Sequence, residues 1–154
     1  MKFKSLILAG ILMASFATYL YAKTERVITV AGTTSGWMGS GVCFEKGDEI
    51  TIAVSGSILH SSWDGNYHGP EGNPSSWCGN KCKPYANKCN VAALVGRIGN
   101  SSVRCVGTAI SGTINDSGEL KFAINDSPTS DNKGSFNVVI QGGHLCGGSG
   151  GNSW

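Results

Sequence analysis

The stretch ELKFAINDSPTSDNKGSFNVVI, from Glu119 to Ile140, decides how this chain folds. Its first six residues place Leu120, Phe122 and Ile124 at alternate positions, and its last six do the same with Phe136, Val138 and Ile140. A period of two is the signature of a strand with one face in a core and the other in water. Between the two runs lies a loop with more oxygen ligands than a turn requires. Its opening tetrad occurs ten residues earlier as Ile114-Asn115-Asp116-Ser117, where a Gly follows and the turn simply closes. The second copy continues instead through Pro128, Asp131, Asn132 and Gly134.

The same alternation recurs outward from this stretch. Arg26 to Val30, Val42 to Phe44, Glu49 to Val54, Ala92 to Ile98 and Val103 to Val106 are short β-rich runs broken by Gly, Asn, Asp and Ser. No long helical period appears. Short strands at close spacing predict an all-β fold, an antiparallel sandwich or jelly roll. Ser55 to Asn90 does not fit strands and reads as one long loop, rich in Gly, Ser, Trp, Pro and Cys. A loop of that length in a small domain is usually functional or disordered.

The chain of 154 residues suits one domain. Met1-Lys2-Phe3-Lys4 precedes an apolar stretch to Leu20 and a small Ala22. This reads as a secretory signal peptide over residues 1–22, shorter than the ~20 apolar residues a span needs. The sandwich is expected over residues 23–141, followed by a Gly/Ser-rich tail over 142–154. Loss of Lys2 and Lys4 brings the basic count from 12 to 10, equal to the acidic count. A neutral chain with no Lys/Arg run is not a nucleic-acid binder, and it retains no membrane span once the signal is removed.

All six cysteines, Cys43, Cys78, Cys82, Cys89, Cys105 and Cys146, follow the signal. An even count in an exported chain predicts disulfides, with 15 connectivities open to six cysteines. Crowding of Cys78, Cys82 and Cys89 in the long loop suggests a local bridge. Each bridge adds about 2–4 kcal/mol, useful in a chain with 23 glycines. A zinc site on these three thiols lacks the paired C-x2-C spacing and is disfavoured by an oxidising compartment.

Catalytic motifs are weak. Gly147 to Gly151 matches G-x-S-x-G, but no strand–turn–helix context or downstream partners follow it. His60, His68 and His144 form no H-x-x-x-H and read as loop or surface histidines. Asp64 with Glu71 is the only carboxylate pair to consider for acid–base work. Trp37, Trp63 and Trp77 read as packing residues, or as a ring exposed beside a sugar's C–H face. Asp126, Asp131 and Asn132 place two carboxylates and an amide in one loop, and calcium takes six to eight such hard oxygens. No EF-hand pattern is present.

Four segments occur together in order: Gly47-Asp48-Glu49-Ile50-Thr51-Ile52; His68-Gly69-Pro70-Glu71-Gly72; Ala93 to Gly99; and Ile124-Asn125-Asp126 leading to Asn132 through Val138. From Val27 to Ile140 the chain resembles the PA-IL (LecA-type) galactophilic lectins and their wider family of secreted domains. The resemblance implies a small jelly-roll, galactose-binding-like β-sandwich, here with a disulfide-stabilised long loop. It implies one calcium per subunit, completed by sugar hydroxyls. By position, Asp126, Asp131 and Asn132 correspond to side-chain ligands, Thr129 or Ser130 to a main-chain ligand, and Ser62 or Trp63 to a further main-chain ligand. Sugar contacts are expected from Ser127, Asp131, Trp63 and Ser76. The chain departs from the family in a shorter loop between Pro128 and Asp131. It also has Asp131 in place of an Asn, and Ser76 and Gly79 near the places of a sugar-contacting His and Gln. The resulting expectation is a secreted or periplasmic, calcium-dependent carbohydrate-binding protein, not an enzyme, able to act as a homo-oligomer. The alternative is a structural or protein-binding module on the same sandwich.

Overall fold

The alternating runs pair as the period of two requires. The computed structural model describes residues 24–75 and 79–147. The expected signal peptide, Ser76, Trp77, Cys78 and the tail beyond Gly147, including most of the G-x-S-x-G stretch, lie outside the described residues. Nine strands form two antiparallel sheets. The first contains β1 (Glu25–Ala31), β3 (Glu49–Leu59), β6 (Ala109–Thr113) and β8 (Lys133–Gly142), in the order β1-β8-β3-β6. The second contains β2 (Met38–Phe44), β4 (Leu94–Ile98), β5 (Arg104–Cys105), β7 (Gly118–Ile124) and β9 (His144–Leu145), in the order β5-β4-β7-β2-β9. No α-helix occurs among the described residues; Gly79–Cys82 forms a single 3-10 turn.

The core lies between the sheets. Ile50, Ile52, Val54 and Ile58 of β3 and Phe136, Val138 and Ile140 of β8 face Phe44 of β2 and Leu120, Phe122 and Ile124 of β7. Phe44, Phe122 and Phe136 are fully enclosed. The second sheet is also covered on its outer face. Val95 of β4 and Ala123 of β7 point away from the core, yet both are buried against Cys89 and Ala93, with Trp37, Tyr85, Ala86 and Val103 packed alongside. The long loop therefore lies over the second sheet. Arg97 stacks over the Trp37 ring at 4.4 Å, and Tyr85 meets that ring edge-on at 5.0 Å. Trp37 is thus a packing residue.

Three features extend what the alternation showed. β2 begins at Met38, ahead of the run from Val42, and a register shift between Gly39 and Cys43 interrupts its pairing with β7. There the Gly41 N–H donates to Glu119 Oε1 at 3.0 Å. β6 is an edge strand of Ala, Ile, Ser, Gly and Thr, nearly all exposed, with no apolar rhythm to announce it. The strand ladder also continues past residue 141. Gly142 closes β8, and His144–Leu145 pair with Val42 and Cys43, where the Cys43–Cys146 disulfide clamps them. Residues 142–146 thus belong to the sandwich rather than to a tail.

The disulfide expectation holds for the described cysteines. Cys89 joins Cys105, Cys82 is also disulfide-bonded, and none of the described cysteines is free. The bridge that Cys89 makes leaves the loop for the edge strand β5.

Asn125 fixes the loop from the other side. It is fully buried. Its Oδ1 accepts the Tyr85 and Ala86 N–H groups at 3.2 and 3.1 Å, and its Nδ2 donates to the carbonyls of Ala86 and Asn90 at 3.0 and 3.1 Å. Asn125→Ala strands two buried N–H groups and should cost about 1–3 kcal/mol, seen as a lower denaturation midpoint with faster hydrogen exchange at Tyr85 and Ala86. Gly134 has φ +85°, and a Cβ there would strike the Ser57 carbonyl across the ladder. Gly134→Ala should destabilise the fold by about 1–3 kcal/mol, measured by chemical denaturation.

Candidate functional site

The candidate site is the loop from Asn125 to Asn132, between β7 and β8. Both strands are anchored in the core, so the ends of the loop are fixed. Asp126 follows Asn125 and is itself buried, 6% exposed. Its Oδ1 accepts the Ser127 N–H at 2.9 Å. The Ser127–Pro128 peptide is cis. The Asn132 N–H closes a turn onto the Thr129 carbonyl at 3.2 Å, and Asn132 Nδ2 donates to the Gly32 carbonyl at 3.0 Å. That last bond orients the amide and leaves its oxygen facing away from the β1–β2 connection.

The two remaining acceptors have no donors. Asp126 Oδ2 and Asn132 Oδ1 are both buried and without a hydrogen-bond partner. Buried polar atoms are nearly always satisfied, and an unpaired one costs about 1–3 kcal/mol, more when charged. Burial pushes the Asp126 carboxyl above its usual range, and the nearby Asp131 charge adds to this. The Asn132 amide, His60 and the Ser127 N–H act in the opposite direction. A buried carboxylate oxygen and a buried amide oxygen on one short loop, neither with a hydrogen-bond partner, form the kind of donor set a hard cation satisfies. The residues present fit a calcium ion.

The other expected residues distribute unevenly around this pair. Asp131 is exposed on the same loop. Asp126, Ser127 and Thr129 line an open groove together with Thr33, Ser35 and Tyr85. Ser62 and Trp63 are exposed on the loop after β3, with Trp63 the most open large side chain of the described residues at 92%. The member of that loop whose charge is felt at Asp126 is His60.

A second cluster stands on the same loop and was not foreseen. His60, Asp64 and His68 bring their ligand atoms within 4.8 Å of one another. Asp64 Oδ2 lies 3.2 Å from His60 Nε2 and hydrogen-bonds His68 Nε2 directly. Asn73 Nδ2 donates to the same Oδ2 and to His60 Nε2, each at 3.1 Å. The His68 bond, with help from Asn66 and the charge of both imidazoles, holds the Asp64 carboxyl below its usual range despite partial burial. Reading the histidines only for H-x-x-x-H hid this H-x-x-x-D-x-x-x-H spacing. Glu71 is not part of the cluster. Its Oε1 accepts the Thr108 N–H at 3.0 Å, so the two carboxylates considered for acid–base work serve different elements.

The comparisons with known proteins agree with this fold. The family described as PA-IL-like protein matches residues 24–143. A solved structure, the EclA N-terminal domain, a PllA-like lectin, superimposes with a TM-score of 0.62 over 78% of this chain and 97% of its own. At 21% identity that likeness is one of fold. No curated protein matches the chain. With the family pattern running through both sheets and across the loop that carries Asp126, this chain belongs to the PA-IL-like family of lectin-fold proteins.

Proposed function

We propose that the protein is an exported, calcium-dependent carbohydrate-binding protein without catalytic activity, recognising galactose-type sugars. One observation carries this reading: Asp126 Oδ2 and Asn132 Oδ1 are buried without a hydrogen-bond partner on one short loop, and Asp126 lines an open groove. In this reading Asp126, Asp131 and Asn132 hold the ion with their side chains. The Thr129 main chain and the loop around Ser62 contribute carbonyls. Calcium, when bound, offers coordination positions to vicinal hydroxyls of a sugar.

The chain's own residues do the rest. Asp131, exposed beside the pair, accepts a hydrogen bond from a coordinated hydroxyl, a charge-assisted contact. Ser127 on the groove wall offers a second polar contact, and Ser76 is proposed for the far side of the sugar. The open Trp63 ring is suited to the apolar C–H face of a pyranose. Membership of a lectin family supports carbohydrate as the ligand class. Disulfides among the described cysteines support an oxidising compartment, secreted or periplasmic. Binding through one shallow site is modest, so presentation in a homo-oligomer would raise avidity by ~10²–10⁴.

Asp126→Asn separates the roles of this residue. It removes a buried charge while keeping its shape. Because burial raises the Asp126 carboxyl, its ionised form opposes folding above that raised value when no cation is present. The variant should therefore be about 1 kcal/mol more stable than the parent in chelator, and should gain nothing from calcium. Thermal denaturation at neutral pH, with and without calcium, reads both effects. On a glycan array the parent should bind galactosides only with calcium, and Asp126→Asn should lose at least about 100-fold in affinity. A silent array beside calcium-dependent stabilisation would assign the ion a structural role instead. Sugar binding undiminished in chelator would refute the reading.

A further inference from the structure

We propose that His60, Asp64 and His68 form a second cation site, specific for a borderline divalent metal such as zinc, which closes the loop carrying Trp63. Two imidazole nitrogens and one carboxylate oxygen suit zinc, nickel or copper. They do not suit calcium, which prefers oxygen throughout. The chain thus carries two donor sets of different hardness on neighbouring loops.

The three side chains are already gathered in the metal-free protein. All three ligand atoms lie within 4.8 Å of one another. The His60 Nε2 to Asp64 Oδ2 separation of 3.2 Å is near the edge of a tetrahedron with ~2.0–2.1 Å metal–ligand bonds, about 3.3 Å. Both imidazoles offer Nε2 to the common centre. Their positions are set by the backbone. His60 follows β3 directly and is buried. His68 is held to Ile58 by two main-chain hydrogen bonds of 2.8 and 2.9 Å. Asp64 is set between them by its N–H bond to Ser61 Oγ at 3.2 Å.

Three protein ligands leave a fourth position for water or an incoming donor. Metal binding displaces the proton shared between His68 and Asp64 and releases the hydrogen bonds that Asn73 donates to His60 and Asp64. In the metal-free protein those bonds already hold the cluster together, so little reordering is needed. The bound ion would tie residue 60 to residue 68 and fix the intervening turn, with Trp63 at its exposed tip.

The test is calorimetric titration of zinc into the untagged, chelator-stripped protein in a calcium-containing buffer. One equivalent should bind. Asp64→Asn and His68→Ala should each weaken it at least about 100-fold. His144→Ala, which removes the remaining histidine of the chain, should leave it unchanged. Calcium-dependent stabilisation retained in Asp64→Asn shows that the variant is folded and keeps this test separate from that of the calcium site. Absence of zinc binding, or full affinity in Asp64→Asn, would overturn the proposal, as would loss of zinc binding in His144→Ala.

Discussion

The antiparallel ladder between β3 and β8 is the constraint on which the rest depends. It runs without interruption from Ile50 opposite Gly142 to Leu59 opposite Lys133. Each strand buries every second residue, so a slip of one position would turn Ile52, Val54, Phe136 and Val138 out to water. The register is therefore held by the core. At the Leu59–Lys133 end, the residue just after β3 is His60 and the residue just before β8 is Asn132. Core packing alone thus brings the loop after β3 beside the loop before β8. The charge of His60 felt at Asp126 is the electrostatic trace of that juxtaposition.

What is placed there is unfavourable for folding on its own. A buried carboxylate oxygen and a buried amide oxygen without donors oppose the metal-free fold. The surroundings compensate with covalent and hydrogen-bonded restraint. The Cys89–Cys105 bridge ties the long loop to β5, and Asn125, the residue preceding Asp126, hydrogen-bonds to that loop. Asn125 and Asp126 are neighbours with opposite tasks. The first satisfies all its polar atoms and fixes the loop; the second leaves one oxygen unsatisfied.

The fold was largely legible because its signal is local. Leu120-Lys121-Phe122 and Phe136-Asn137-Val138 show a two-residue rhythm that helices do not. Edge elements escaped for the converse reason. Ala109–Thr113 gains its strand conformation from pairing with β3, not from its own side chains, and His144–Leu145 is held by a disulfide whose partner is distant in sequence. At the site, Asp126 and Asn132 were visible as excess oxygen ligands in a turn. The His60–Asp64–His68 cluster was not, because its members meet only when Ile58 pairs with His68 and folds the loop back. The role of Asn125 was hidden for the same reason: the groups that enclose it lie some forty positions earlier.

The main-chain bond from Gly142 N–H to the Thr24 carbonyl, 2.9 Å, brings the first and last parts of the first sheet side by side. They meet at the far end of β8 from Lys133, and the ten residues of that strand span roughly 30 Å. Anything joined before Thr24, or after the end of the sandwich, leaves from the pole opposite Asp126. The Asp126 loop is thereby left clear of the start of the first described strand and of the end of β8.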